Sequence, residues 1–233
     1  MAPFKMQGDG IHLSDLDTAE VDSTRYQTVF QTFGEDMGDT PDDWYRFYLD
    51  PRTKLVDVAQ LSPAQQKAFY INLYNAGMLQ AVLERYPIKS VKSIGLIPFS
   101  IFKKDYTQQG ERSLSLDDIE KGILLQKFPD PRIHFAVNCA SVSCPPLRAE
   151  PYRGAQLEAQ LEEQTRLFAA SDQAARGDAS KRRTAYSELF KWYASDFGVS
   201  QPALFLNRYR SQPLPTEYDV IWIDYDWSLN QSK

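Results

Sequence analysis

The chain has 233 residues, of which 42% are hydrophobic and 24% are charged, a composition that is ordinary for a globular protein. A chain of this length buries about 70% of its unfolded surface, so it needs neither a disulfide framework nor a structural metal to fold. The net charge of −5, from 26 basic and 31 acidic residues, argues against nucleic-acid binding, which requires a basic surface.

The sequence pattern predicts neither an export signal in the first residues nor a membrane-spanning helix further along the chain. Acidic residues occur where a signal peptide would have its apolar core, and no later stretch reaches the length of a membrane-spanning helix. We therefore expect no membrane span and a cytoplasmic location, although removal of a signal peptide would leave the same sequence.

Helical patterns begin after an irregular start. Residues 1–20 show no period and are expected to be an extended or partly disordered lead-in. Apolar spacing predicts a helix from Ser23 to Gly34 and a second, short helix after Pro41. Three aromatic residues share one face of this second helix: Trp44, Phe47 and Tyr48.

The strongest helix prediction covers residues 62–86. Ser62 is a good N-cap, Pro63 suits the first helical position, and Pro87 marks the end. Apolar residues cover most of the circumference, which predicts a central, buried helix.

The rest of the chain mixes strand and helix patterns. In chain order these are a hairpin of residues 101–106 and 111–115, a short helix at 116–124 capped by Ser115, a strand at 133–137, an amphipathic helix at 155–171, a polar loop or mobile insertion at 171–183, helices at 187–198 and 202–209, and a buried strand within 218–227. With no repeat and no clear linker, residues 21–233 are predicted to form one α+β domain.

Chemistry that needs thiol or imidazole is confined to one segment. The chain has two cysteines and two histidines, and His134, Cys139 and Cys144 lie close together in sequence. Cys139 lies where the predicted strand gives way to a turn of small residues, whose backbone N–H groups can lower a thiol pKa. Cys139 is therefore a candidate nucleophile. The alternative is a structural thiol, since free cysteines are commonly buried.

His134 is an awkward partner for this thiol. Residues five apart in a strand lie on opposite faces and about 16 Å from each other, so His134 reaches Cys139 only if the chain bends sharply. The alternative is a structural, hydrogen-bonded histidine. A closed zinc site would require both cysteines and both histidines, including His12 in the lead-in, so we predict no metal and no other cofactor.

Two asparagines lie in the apolar helix. Asn72 and Asn75 are three residues apart and share a face, and their presence in a buried helix predicts amides with specific partners. Such a partner is either the imidazole of a catalytic triad or the neighbouring backbone. Glu120 and Lys121 form either an exposed helix pair or a charge pair that faces the site.

Several segments together resemble domain-of-unknown-function family 547. They are residues 68–76, 115–124 and 130–148 in this order and spacing, with further likeness at 190–198 and 225–230, so that about residues 40–230 are covered. This family is similar to papain-like and transglutaminase-like cysteine enzymes. The resemblance implies helices packed on a small antiparallel sheet and a cysteine nucleophile at the start of a helix.

The resemblance assigns the nucleophile to Cys139 and makes Cys144 the weaker candidate. Where the family has Ile-Glu-His in the short helix, this chain has Glu120 followed by Lys121. If that histidine is the catalytic base, this protein has lost it, and His134 is the one nearby imidazole.

These features predict a cysteine-dependent hydrolase, or an acyl or thiol transferase, acting through Cys139 on a small peptide or a peptide-like thiol such as glutathione. His134 is the expected base, and Asn75 or Glu120 positions it. Four residues are expected to bind substrate: Asn72, Lys121, Ser143 and Arg148. Backbone amides of residues 139–143 are expected to stabilise a developing anion. The alternative is a non-catalytic peptide- or protein-binding module that has lost its base.

Overall fold

The computed structural model of the protein describes Tyr48 and residues 56–230, and it combines helices with two small sheets. The predicted α+β class is confirmed at this level. The lead-in over residues 1–20, the helix from Ser23, and all of the helix after Pro41 except Tyr48 lie outside the described residues.

The elements follow one another in a mixed order. The α-helices of the described residues are α1 (Pro63–Leu83), α2 (Leu125–Lys127), α3 (Ile133–Ala136), α4 (Leu157–Ala170), α5 (Leu189–Trp192), α6 (Ala194–Phe197) and α7 (Pro202–Leu206). A π-helix spans Asp118–Leu124, and short 3-10 helices span Val58–Gln60, Val91–Ser93 and Ser100–Lys103. The strands are β1 (Asp105–Gln109), β2 (Arg112–Ser115), β3 (Ala175–Asp178), β4 (Arg183–Ser187) and β5 (Asp219–Ile223).

Helix α1 is the centre of the molecule, as predicted. The Ser62 hydroxyl accepts from the backbone N–H of Gln65, whose side chain accepts from the N–H of Ser62, and this capping box fixes the helix start. The helix ends at Leu83, three residues earlier than predicted. Most of its residues are buried, because neighbouring elements cover it on several sides.

The first sheet is the predicted hairpin of β1 and β2. The strands pair antiparallel, but residues 101–103 belong to a 3-10 helix and not to the first strand, which corrects the prediction there. A Cβ atom at Gly77 of α1 would lie only 2.8 Å from Thr107 Cγ2 of β1, so this glycine permits the close approach of helix and hairpin.

The second sheet corrects two predictions. It has the order β3-β4-β5, with β3 and β4 antiparallel and β4 and β5 parallel, so it is mixed where an antiparallel sheet was expected. Residues 171–183, predicted as a loop or mobile insertion, supply β3 and the first residue of β4. Backbone pairing forms this hairpin without the apolar alternation on which the prediction relied.

Strand β5 is present as predicted but is not buried. Val220, Ile221 and Trp222 are 37%, 41% and 37% exposed, because β5 lies at the edge of a three-stranded sheet. The apolar pattern therefore predicted the strand and misplaced it.

Residues 133–137 were predicted as a strand, and this is wrong. Ile133–Ala136 is the short helix α3. Asp130 starts it, since its carbonyl accepts from the N–H of Ile133 and its carboxylate from the N–H of Arg132. The turn initiated by Asp130 and Pro131 outweighs the strand preference of the apolar run.

The other helix predictions are confirmed with changes in detail. The helix after Ser115 is π-helical over Asp118–Leu124, and Ser115 and Asp118 exchange hydrogen bonds at its start. The amphipathic helix is α4, the segment at 187–198 is divided into α5 and α6 at Tyr193, and the last predicted helix is α7. No helix within the described residues is long and apolar enough to cross a membrane.

Helix α3 lies where two hydrophobic cores meet. Ile133 and Ala136 belong to the core around α1, while Phe135 belongs to a second core. The second core is rich in phenylalanine: Phe135, Phe168, Phe190, Phe197 and Phe205. The cysteine segment follows α3 and is therefore positioned by both cores.

Candidate active site

The turn that carries Cys139 is closed by the side chain of Asn138. The Asn138 amide oxygen accepts from the N–H of Ala140 at 2.8 Å, and its amide nitrogen donates to the carbonyl of Pro145 at 2.7 Å. Ala140 has a φ of 58°, a left-handed conformation that non-glycine residues adopt only when the surroundings impose it. The turn is thus held rigidly on both sides of Cys139.

The C-terminal segment fastens this turn from the other side. Ala140 accepts from the N–H of Asn230, and the N–H of Val142 donates to Ser228, each at 2.9 Å. These bonds form an antiparallel bridge between Ser141 and Leu229. As a result, the chain just before the bridge, including Tyr225, lies against the cysteine turn.

The Cys139 sulfur is surrounded by hydroxyl groups. Ser141 Oγ lies 3.0 Å and Tyr225 Oη 3.2 Å from Cys139 Sγ. Burial raises the pKa of the Cys139 thiol, but hydrogen bonds from Cys144, Ser141 and Tyr225 outweigh burial and lower this pKa to about 7. When the sulfur is a thiolate, both hydroxyls donate to it, which is the physical origin of the decrease.

Cys144 lies beside Cys139 in space and differs from it in burial and in the direction of its pKa shift. Both thiols are free, but Cys144 is buried while Cys139 is partly accessible. The Cys144 sulfur accepts a hydrogen bond from the Cys139 backbone N–H at 2.8 Å. Burial, together with contact with the Cys139 sulfur and its charge, raises the pKa of Cys144 well above the ordinary value.

Cys139 opens into a pocket of about 490 Å³. Its walls include seven aromatic side chains: Tyr74, Phe99, Phe102, Trp192, Tyr193, Tyr225 and Trp227. Its polar and ionisable lining consists of Lys103, Asp117, Glu120, Lys121, His134, Cys139 and Cys144. The volume is within the usual range for small-molecule sites.

His134 lines the same pocket but does not hydrogen bond to Cys139. Its Nε2 atom lies 2.8 Å from a carboxylate oxygen of Asp196, and its ring packs on Tyr193 with 3.9 Å between centroids. Burial lowers the pKa of His134, and the Asp196 carboxylate opposes this effect only in part. Because α3 is a helix, the 16 Å separation expected for a strand does not apply.

Glu120 and Lys121 do not form the exposed pair that was one of the two expectations. Glu120 is buried, and the Tyr193 hydroxyl donates to it at 2.7 Å. Burial raises the pKa of Glu120, with the Tyr193 hydrogen bond acting in the opposite direction. Lys121 pairs with Asp117 at 2.7 Å on the pocket rim, so both predicted residues reach the pocket in different environments.

The side chains of the two asparagines in α1 form hydrogen bonds with backbone groups of neighbouring segments. Asn75 donates to the carbonyl of Ala136 at 3.0 Å and accepts from the N–H of Asn138 at 2.8 Å, so it connects the end of α3 to the turn. Asn72 forms equivalent bonds with the backbone of Tyr152. Within the described residues neither amide hydrogen bonds to an imidazole, and Asn75 acts on Cys139 through the turn it positions.

Ser143 and Arg148 do not line the pocket. The Ser143 hydroxyl accepts from the N–H of Asp226, and Arg148 forms ion pairs with Glu150 and Glu163. The structure therefore brings together Cys139, His134, Glu120 and Lys121, and it keeps Asn72, Ser143 and Arg148 outside the pocket.

The predicted anion site at the backbone amides of residues 139–143 is also corrected. Four of these five amides already have an acceptor inside the protein. The acceptors of the Cys139, Ala140, Val142 and Ser143 N–H groups are, in this order, Cys144 Sγ, the Asn138 side chain, the Ser228 carbonyl and the Asp226 carbonyl. These four donors therefore hold the turn itself and are not available to an anion.

Four site residues were missed by sequence reasoning. They are Ser141 and Tyr225 beside the sulfur, and Tyr193 and Asp196 around Glu120 and His134. Tyr193, Asp196 and Tyr225 lie in the segments at 190–198 and 225–230 that carried part of the family resemblance. Those segments were the signal from which they could have been found.

In the described part of the chain, no group of three or more histidine, cysteine, aspartate or glutamate side chains is arranged to hold a metal ion.

Comparison with known families identifies residues 58–169 as a match to the model described as "Protein of unknown function, DUF547", which confirms the resemblance over that segment. The match contains both cysteines and His134 but ends before Tyr193 and Tyr225. No curated protein and no solved structure matches the chain.

Proposed function

We propose that this protein is a cysteine-dependent transferase in which the Cys139 thiolate attacks a sulfur of a small, peptide-like disulfide such as glutathione disulfide. The observation that carries the proposal is the pair of hydroxyls, from Ser141 and Tyr225, within 3.2 Å of a partly accessible sulfur at a pocket.

The ionisation of Cys139 supports a nucleophilic role. With a pKa of about 7, roughly half of the thiol is ionised at neutral pH, so no separate base has to remove the proton. A thiol whose pKa is near the ambient pH is also the most effective attacking group in thiol–disulfide exchange. The absence of a hydrogen bond between His134 and Cys139 in the described structure is therefore compatible with activity.

The surroundings of the sulfur favour a sulfur electrophile over a carbonyl. Attack on a carbonyl carbon creates an oxyanion, which enzymes stabilise with unoccupied backbone N–H groups. Four of the five N–H groups at residues 139–143 already have acceptors within the protein, so no cluster of free amides is available there. Thiol–disulfide exchange places the negative charge on the departing sulfur and needs no such site.

The pocket suits a small peptide. Its volume of about 490 Å³ and its aromatic walls offer apolar contacts, and the ammonium groups of Lys103 and Lys121 provide charges for a substrate carboxylate. Lys121 carries its own partner, Asp117, so the rim presents both signs of charge. A zwitterionic peptide matches this rim better than a purely anionic ligand.

Acyl transfer in the manner of papain-like enzymes is the second candidate. The His134–Asp196 pair favours it, since a base oriented by a carboxylate is typical of such sites and this base lines the same pocket as Cys139. For this chemistry His134 would have to take the Cys139 proton in the substrate complex. A His134→Gln variant would then lose thioester hydrolysis but retain disulfide exchange.

The test is a single-turnover reaction of the reduced protein with glutathione disulfide. We expect release of glutathione in proportion to protein, and no release from a Cys139→Ser variant. A Ser180→Ala variant, altered on the exposed turn between β3 and β4, is the control and should behave as the unmodified chain. If glutathione is not released but binds with the same affinity to both the unmodified and Cys139→Ser chains, the protein is a binding module and the proposal is wrong.

A further inference from the structure

The second thiol of the site is held against the first. The Cys139 backbone N–H donates to Cys144 Sγ at 2.8 Å, and the N–H of Cys144 donates to the Ser141 carbonyl at 3.1 Å. These two bonds fold the segment back on itself, so Cys144 Sγ contacts the residue whose own sulfur faces the pocket. The C-terminal bridge at Ser141 keeps this arrangement in place.

We infer that Cys144 is the resolving thiol of this site: after Cys139 has formed a mixed disulfide, Cys144 attacks the Cys139 sulfur, releases the second small thiol and leaves a Cys139–Cys144 disulfide. The inference rests on the proposed function, because it requires that Cys139 first react with a small disulfide.

The two steps balance. In the first, the Cys139 thiolate forms a bond to one sulfur of the small disulfide, and the other sulfur leaves as a thiolate that takes a proton from water. In the second, Cys144 gives its proton to solvent and bonds to Cys139 Sγ. The bond between Cys139 and the small thiol breaks, and this sulfur leaves with the bonding pair as a thiolate that takes a proton from water. The small disulfide is reduced by two electrons, and the two cysteines are oxidised by two.

Burial decides which cysteine reacts first. Cys139 is partly accessible and lines the pocket, whereas only 4% of Cys144 is exposed. A small disulfide therefore meets Cys139, and Cys144 can attack only a sulfur that is already beside it. The same arrangement protects Cys144 from forming a mixed disulfide of its own.

The charge on Cys139 decides when Cys144 becomes reactive. Burial is the main reason that the pKa of Cys144 is raised, and the neighbouring Cys139 sulfur and its charge raise it further. Once Cys139 is in a mixed disulfide, its charge is gone, while its N–H still donates to Cys144 Sγ and favours the Cys144 thiolate. Reaction at the first thiol thus activates the second.

The experiment uses the reduced, full-length chain, glutathione disulfide and intact-mass measurement with peptide mapping. The unmodified chain is expected to release two glutathione molecules per protein and to end as an internal disulfide between Cys139 and Cys144. Cys144→Ala and Cys144→Ser are expected to release one molecule and to retain a stable glutathione adduct on Cys139. Two substitutions are used because Cys144 is buried, and the thermal unfolding midpoint of each identifies a variant that fails to fold.

The outcomes separate this inference from the proposed function. If the unmodified chain keeps the adduct as long as the folded Cys144 variants do, Cys139 reacts as proposed but Cys144 does not resolve it, and the inference is overturned. If no adduct and no release occur in any folded chain, the proposed function fails and the inference fails with it. A further readout is the pH dependence of Cys144 alkylation, whose midpoint should fall in Cys139→Ser, since the neighbouring charge is absent.

Discussion

Tyr225 places its hydroxyl 3.2 Å from the Cys139 sulfur, although the two residues are 86 positions apart in the chain. The contact exists because the C-terminal segment pairs with the cysteine turn through Ala140, Val142 and their partners. It joins the last part of the described chain to the candidate nucleophile. Burial raises the pKa of the Cys139 thiol, and the Tyr225 hydrogen bond is one of those that lower it, after the hydrogen bonds from Cys144 and Ser141.

Removal of the Tyr225 hydroxyl should make Cys139 less acidic. A hydrogen bond to a charged group contributes about 1.5–3 kcal/mol, so Tyr225→Phe should raise the midpoint pH of Cys139 alkylation by about one to two pH units. Iodoacetamide labelling followed by peptide mapping measures this midpoint. Tyr218→Phe, which changes a tyrosine outside the pocket, is the control, and an equal response of both variants would refute the role of Tyr225.

Asn75 should contribute strongly to stability. Its side chain is buried and satisfies the Ala136 carbonyl and the Asn138 N–H, so Asn75→Ala leaves a buried acceptor and a buried donor without partners. We expect a loss of about 2–5 kcal/mol in the free energy of unfolding, measured with urea. Gln80→Ala on the same helix removes only a surface bond to Glu84 and should change stability by less than about 0.5 kcal/mol. Similar effects of the two substitutions would contradict this account of Asn75.

Stability should decrease on acidification because of His134. Its pKa in the folded protein is lowered from 6.5, chiefly by burial, so the unfolded chain binds the proton more readily. Neutral His134 makes its full contribution to the free energy of unfolding above pH 6.5. This contribution is lost as the pH falls from 6.5 toward the lower pKa that His134 has in the folded protein. The slope from this group reaches at most about 1.4 kcal/mol per pH unit. His134→Gln should flatten the decrease below pH 6.5, whereas parallel curves for the two chains would show that His134 does not titrate in this manner.

Glu120 should have the opposite pH dependence. Burial raises the pKa of Glu120 in the folded protein above 4.5. Its contribution to the free energy of unfolding is therefore complete below pH 4.5 and is lost as the pH rises through the folded pKa. Glu120→Gln keeps the shape of the side chain and removes the buried charge. The variant should therefore gain stability relative to the unmodified chain between about pH 5 and pH 8 in urea unfolding. If the difference in unfolding free energy between the two chains does not change with pH, the pKa of Glu120 is not raised as described.

The same Glu120→Gln variant separates a catalytic role from a structural one. In the proposed thiol exchange no proton passes through Glu120, since Cys139 ionises without a base. Glutathione release from glutathione disulfide should be retained in this variant. Loss of release from a folded Glu120→Gln chain would instead show that the reaction depends on the Glu120 carboxyl group.

Local signals predicted much of the fold. Ser62 and Pro63 predicted the start of α1, and the apolar residues around the helix predicted its burial, because capping and periodicity depend on nearby residues. The scarcity of cysteine and histidine likewise pointed to Cys139. Where a turn competed with an apolar run, as at Asp130 before α3, the local pattern favoured the wrong element.

Contacts between distant segments could not be predicted in the same way. The exposure of Trp222 depends on the position of β5 at a sheet edge, and a strand pattern carries no information on sheet order. The partners of the Cys139 sulfur depend on a bridge between Ser141 and Leu229, and the buried position of Glu120 depends on Tyr193. In each case the decisive neighbour is supplied by another part of the chain.

The most direct test of the account is the rate of Cys139 alkylation by iodoacetamide as a function of pH, followed by peptide mapping to separate it from Cys144. An activated thiolate with the hydrogen bonds described here predicts a midpoint at about pH 7. A midpoint at 9.0 or above, the range of an ordinary cysteine, or complete protection of Cys139 would contradict it.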